Sequence, residues 1–111
     1  MNKRSKGKRA ELQFYKYLQK KFGWLVWKPT SCKWGSKDIF GLFDIISIDK
    51  EGDTYYYQIK TNKSDFYKAK KKIKEWITKN FDENPYYFFV VLVEGKDKFR
   101  IDVVEVDDDD L

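Results

Sequence analysis

Two hydrophobic periods alternate along this chain. From about Gly7 to Phe22 the apolar residues Phe14, Tyr15, Leu18 and Phe22 recur at helical spacing, predicting a helix with one inward stripe. Glu11 shares that stripe, three residues before Phe14 and seven before Leu18, while Lys8, Lys16 and Lys20 point elsewhere. Gly23 reads as the C-cap, and Trp24-Leu25-Val26-Trp27 as a short strand closed by Pro29. A long polar loop spans Thr30 to Phe40. The run Phe43-Asp44-Ile45-Ile46-Ser47-Ile48, the corner Asp49-Lys50-Glu51-Gly52, and Thr54 to Thr61 read as a β-hairpin. Ser64 is placed to N-cap a second helix running to about Asn80, with Phe66, Ala69, Ile73, Trp76 and Ile77 inward and Lys68, Lys71, Lys72 and Lys79 outward. The segment 82–85 breaks that helix. Tyr86 to Val93 is a nearly continuous apolar run suited to an interior strand, followed by a turn at Glu94 to Lys98 and a last strand from Phe99 to Val106.

The order α-β-β-β-α-β-β predicts an α/β fold. The strands on either side of the second helix become parallel through a right-handed crossover, giving a mixed sheet with a helix on each face. One domain covers 1–106, with 1–6 as a basic arm, and the acidic segment 107–111 reads as a disordered, solvating tail. Docking of that tail on a basic groove, as a mimic of DNA, is the other reading.

Turn chemistry sets the hairpin register. Asp suits the first position of a type I turn, and Gly a left-handed bulge at the end of a three-residue loop. That loop pairs Asp49 with Asp53 and sets Asp44 opposite Gln58, with β-carbons roughly 5 Å apart. Lys60 falls two residues further along the same face, roughly 7 Å away. On an arbitrary hairpin this would be an Asp–Lys ion pair at a sheet margin. Two features weigh against that reading: the inward acid Glu11 and a strongly basic surround.

Charge is distributed unevenly. The net charge is +5, yet Met1 to Lys37 holds eleven Lys or Arg against the single acid Glu11, and Lys63 to Lys79 holds seven Lys against Asp65 and Glu75. Two basic segments on a small domain are a footprint for a polyanion, most often nucleic acid, although solvated helix faces produce the same composition. The expected contacts are Lys3, Arg4, Lys6, Lys8, Arg9, Lys33, Trp34, Ser36, Lys37, Lys68, Lys71 and Lys72, with Trp34 stacking on a base or packing back on the fold. The chain has no histidine and one cysteine, Cys32, which excludes histidine-based triads and His- or multi-Cys zinc sites. A metal must therefore be held by oxygen, which favours Mg²⁺ or Mn²⁺. No apolar run approaches the ~20 residues of a membrane span and no signal-peptide core follows the basic N-terminus, so the expected location is intracellular, in the cytoplasm, with no membrane partner.

Phosphodiester hydrolysis needs an activated water, charge stabilisation at phosphorus and help for the leaving group, much of which a carboxylate-held Mg²⁺ supplies. Asp44 is the expected central ligand. Glu11 joins it directly or through water, and the Ile59 carbonyl and Gln58 side-chain oxygen complete the protein share. Lys60 orients the attacking water and offsets developing charge. Asp38 is a rival to Asp44.

The order Glu11, Asp44, Gln58-Ile59-Lys60, on a helix and then a hairpin, resembles the PD-(D/E)xK nuclease superfamily over roughly Gly7 to Val93. Its compact layout, with a Ser-bearing loop at Gly35-Ser36, is similar to the archaeal Holliday-junction resolvases. The resemblance implies a restriction-endonuclease-like fold, metal-dependent cleavage of branched DNA, and a homodimer, for which Trp24, Trp34 and Phe99 are candidate contacts. Two residues depart from the pattern: Gln58 replaces the usual acid, and Phe43 stands where a Pro often precedes the Asp. The loss of one charge weakens a metal site unless Glu11 or Asp38 compensates. The alternatives are a nuclease of the same fold acting on duplex or single strands, and a DNA-binding module with a lapsed site. Single-stranded RNA stacked on an aromatic sheet is a weaker possibility, because the chain lacks an RNA-recognition signature.

Overall fold

The computed structural model describes residues 3–23, 25–29, 39–83, 85 and 87–106. Its elements follow the expected order: α1 (Lys3–Phe22), β1 (Leu25–Trp27), β2 (Ile45–Ile48), β3 (Thr54–Lys60), α2 (Lys63–Asn80), β4 (Phe88–Gly95) and β5 (Lys98–Val103). The five strands form one mixed sheet in sequence order. Only β3 and β4 run parallel, joined through α2; the other neighbouring pairs are antiparallel.

Alternation along β3 and β4 assigns each helix a face. Tyr57, Ile59 and Val91 pack with Ala10, Phe14 and Leu18 of α1. Phe88, Val90 and Leu92 pack with Phe66, Ala69, Ile73 and Ile77 of α2. The fold is therefore three-layered, with β3 and β4 buried between the helices. Among the described residues no helix is long and apolar enough to cross a membrane.

Several boundaries differ from the sequence reading. The expected basic arm is helical from Lys3, because Lys, Arg and Ser are tolerated in a helix and the single Gly7 costs only about 1 kcal/mol. The inward stripe of α1 is Ala10, Phe14 and Leu18; Phe22 is exposed and meets Tyr17 edge-on. Helix α2 is capped by Asn62 rather than Ser64. The Asn62 Oδ1 accepts from the Asp65 backbone N–H at 2.9 Å and its Nδ2 donates to Asp65 Oδ2 at 2.8 Å, a reciprocal capping pair. Strand β4 begins at Phe88 and runs to Gly95, and β5 stops at Val103. The turn between them contains Asp97 at φ 57°, a conformation a short Asp side chain tolerates. Phe99, a candidate dimer contact, is partly buried and packs against Phe14 and Tyr17, with ring centroids 5.3 and 4.8 Å away. Trp24 and the segment 107–111 lie outside the described residues.

The hairpin keeps its expected register, with Ile48 opposite Thr54 and Ile45 opposite Tyr57. Asp49 fixes it. Its N–H donates to the Asp53 carbonyl at 3.0 Å, and its carbonyl accepts from Gly52, which sits at φ 89°. Asp49 Oδ1 accepts from the N–H groups of Glu51 and Asp53, and Oδ2 accepts from the Tyr55 hydroxyl at 2.7 Å. These bonds, the Tyr55 one foremost, hold the Asp49 carboxyl below its ordinary value and push the Tyr55 phenol up to about 12. A depressed folded-state pKa stabilises the fold above the unfolded value, and that contribution is lost as pH falls through the folded one. Asp49→Ala should therefore melt below wild type at pH 7, and the gap should close as pH is lowered past the carboxylate range. A constant gap across a thermal-melt pH series would remove the charge-assisted part of this account.

Candidate functional site

The site lies where β2 leaves β3. The β2 ladder begins at Ile45↔Tyr57, whereas β3 continues beside β4 to Lys60↔Leu92. Gln58, Ile59 and Lys60 therefore have β4 on one side and no β2 strand on the other. Asp44 fills that notch. Its N–H donates to the Tyr57 carbonyl at 2.8 Å, and its Oδ2 accepts from the Ile59 N–H at 2.8 Å.

This corrects the expectation that Asp44 lies within the strand, in ladder register with Gln58. Phe43 packs on the α2 face and Ile45 on the α1 face, although regular alternation would put them on the same side. The backbone changes phase at Asp44, which turns its carboxylate edge-on toward β3 in place of a ladder bond. A tight loop precedes it: the Ile39 N–H donates to the Phe43 carbonyl at 2.8 Å, with Phe40 at φ 55° and Gly41 at φ 71°.

A cleft of about 370 Å³ opens at this notch, lined by Glu11, Asp44, Gln58, Ile59 and Lys60. The four residues expected to hold a metal and the expected catalytic Lys60 therefore line one cavity. They arrive from different sides. Alternation places Gln58 and Lys60 on the α2 face of β3, while Glu11 comes from α1 on the other. The missing β2 partner is what lets the two faces communicate. Glu11 lies in the interior of α1, whose first turn holds no acid, so its position is not that of a charge placed for the helix dipole.

Lys6, Gly7, Thr61, Asn62 and Asp65 also line the cleft. Asp65 adds a third carboxylate that the sequence reading did not assign to the site. Its signal was the Asn62-x-x-Asp65 capping spacing two residues after Lys60, which starts α2 at the cleft, two residues earlier than a Ser64 cap would.

The electrostatic demand of the site is clearest at Gln58. The residue is 9% exposed, and its Oε1 is buried with no hydrogen-bond partner. A buried acceptor left in this state costs about 1–3 kcal/mol, so it marks a place where a further group belongs. Glu11, Asp44 and this amide oxygen are hard donors, the kind that suits Mg²⁺ or Mn²⁺, although the carboxylates of Glu11, Asp44 and Asp65 do not gather within 4.8 Å of one another. The donor types present fit such an ion.

A second acidic group, Asp49, Glu51 and Asp53, brings carboxylates within 4.8 Å at the hairpin turn. Its leading member already accepts three hydrogen bonds, and the group is accounted for by turn formation. Of the expected nucleic-acid contacts, Lys6 lines the cleft; Lys8 and Arg9 are exposed on α1, and Lys68, Lys71 and Lys72 on α2. The side chains of Lys3 and Arg4, and residues Lys33, Trp34, Ser36, Lys37 and the rival acid Asp38, lie outside the described residues. No protein-family model matches this chain, and neither a curated protein nor a solved structure matches it.

Proposed function

We propose that the chain is a divalent-metal-dependent DNA endonuclease of the PD-(D/E)xK type, with a restriction-endonuclease-like fold and a four-way junction as its preferred substrate. The observation that carries this reading is one cleft lined by Glu11, Asp44, Gln58 and Lys60, at which Gln58 keeps a buried Oε1 with no hydrogen-bond partner. Glu11, Asp44 and Gln58 would hold the ion. The ion supplies water activation and charge offset at the phosphodiester. Lys60 holds an ammonium in the same cleft, where it orients the reacting water and opposes charge developing on the phosphoryl oxygens. The Ile59 N–H bond to Asp44 fixes the carboxylate before substrate arrives, so less reorganisation is needed at the reaction.

The test compares a labelled four-way junction with linear duplex of the same sequence, each with Mg²⁺, with Mn²⁺ and with EDTA. Ion-dependent symmetric nicks near the branch point are expected. Equal degradation of both DNAs would keep the hydrolase and discard the junction preference. Salt-sensitive binding without cleavage in any ion would leave only a binding module, the reading that the neutral Gln58 favours. Sedimentation with and without junction DNA tests the homodimer that paired nicks require.

A further inference from the structure

Beyond the cleft at the notch, two larger clefts run along α1. The first, about 690 Å³, shares Lys6 and Thr61 with the notch and adds Arg9, Gln13, Lys63 and Lys96. The second, about 580 Å³, shares Gln13 and Lys96 with the first and adds Lys16, Lys20 and Lys21. Lys6, Arg9, Gln13, Lys16 and Lys20 are spaced by three, four, three and four residues, so they form a single stripe on one side of α1. The β4–β5 turn forms the opposite wall. It contributes Lys96 and two acids, Glu94 and Asp97, against the seven cations of the combined groove.

We infer that this groove is the path of a nucleic-acid strand leaving the notch. The inference rests on the nuclease reading and specifies which surface carries the substrate. From Lys6 to Lys20 the stripe runs fourteen residues, about 21 Å at 1.5 Å per residue. That length matches about six nucleotide steps of a duplex strand at 3.4 Å each. Lys68, Lys71 and Lys72 on α2 line none of the three clefts. An anionic membrane is the other class of partner for a basic helix, but such a helix needs a free apolar face beside its basic one. The apolar face of α1, Ala10, Phe14 and Leu18, is buried against the sheet. A groove with one charged helix wall and one turn wall accepts a strand rather than a plane.

The test measures binding of a labelled four-way junction in EDTA across a salt series. The variants are Lys16→Glu/Lys20→Glu and, as a control with the same change in net charge, Lys50→Glu/Lys74→Glu. All four side chains are exposed, and thermal melts check that both variants fold as wild type. The α1 pair should weaken binding about tenfold or more and lower the slope of log affinity against log salt by about two. The control should stay within about twofold, reflecting only the long-range field. Lys96→Glu, on the opposite wall, should weaken binding in the same direction with a slope change of about one. Equal weakening by both double variants would overturn the path, as would wild-type binding to phosphatidylserine vesicles in preference to DNA. Cleavage by the wild-type protein with Mg²⁺, read on the same junction, separates failure of the path from failure of the hydrolase.

Discussion

Asp44→Asn and Lys60→Ala should each reduce ion-dependent cleavage of a four-way junction by about 10²–10⁴-fold while leaving binding in EDTA nearly intact. The two substitutions remove different things. Asn has the shape of Asp and its Oδ1 can still accept from the Ile59 N–H, so the 2.8 Å bond that shapes the notch survives. What disappears is the negative charge that would hold the proposed ion. Lys60→Ala leaves the carboxylates in place and removes the ammonium, together with at most one phosphate contact, so the salt slope of binding should fall by no more than about one. Junction cleavage in Mg²⁺ and Mn²⁺, set against anisotropy in EDTA, separates these effects. Wild-type rates in both variants would end the hydrolase reading and leave a basic polyanion binder.

How far such a site can be read from sequence depends on whether each device is local. The hairpin register follows from Asp49 and Gly52 alone, because the turn bonds span at most five residues. The buried stripe of α2 follows from helical spacing, and four of its five expected members are fully buried, with Trp76 half-covered. The phase change at Asp44 is not local. It depends on Phe43 joining the core under α2 while Ile45 joins the core under α1, two tertiary environments that no periodicity of six residues encodes. The same holds for the meeting of Glu11 with Gln58 and Lys60. The sequence reading placed the hairpin polar groups on one face; in the structure they line one cleft with Glu11, through a gap in the sheet rather than on a common surface. At α2 the choice between Asn62 and Ser64 was a contest of equivalent caps. The reciprocal bond with Asp65 decides it.

Replacing Gln58 should separate stability from function in opposite directions. Gln58→Met keeps the side-chain length and removes the buried Oε1, so without divalent ion the variant should be more stable than wild type by about 1 kcal/mol. Wild type should gain melting temperature as Mn²⁺ is added, since an ion that binds only the folded chain stabilises it by mass action. The Met variant should lose most of that gain, and its cleavage with it. Gln58→Glu should do the reverse. A carboxyl buried beside Asp44 has its folded pKa raised by desolvation and like charge. Its effect on stability is then least at low pH and grows as pH rises above the unfolded value of about 4.3, so the ion-free variant should become progressively less stable toward neutrality. Added Mn²⁺ should reverse this loss and give a larger melting shift than in wild type. A Met variant that keeps the full Mn²⁺ shift would show that Gln58 takes no part in holding the ion, and its orphaned oxygen would then belong to a structural water. The melts need no active enzyme, so they judge the ion site even if the substrate proves not to be a junction.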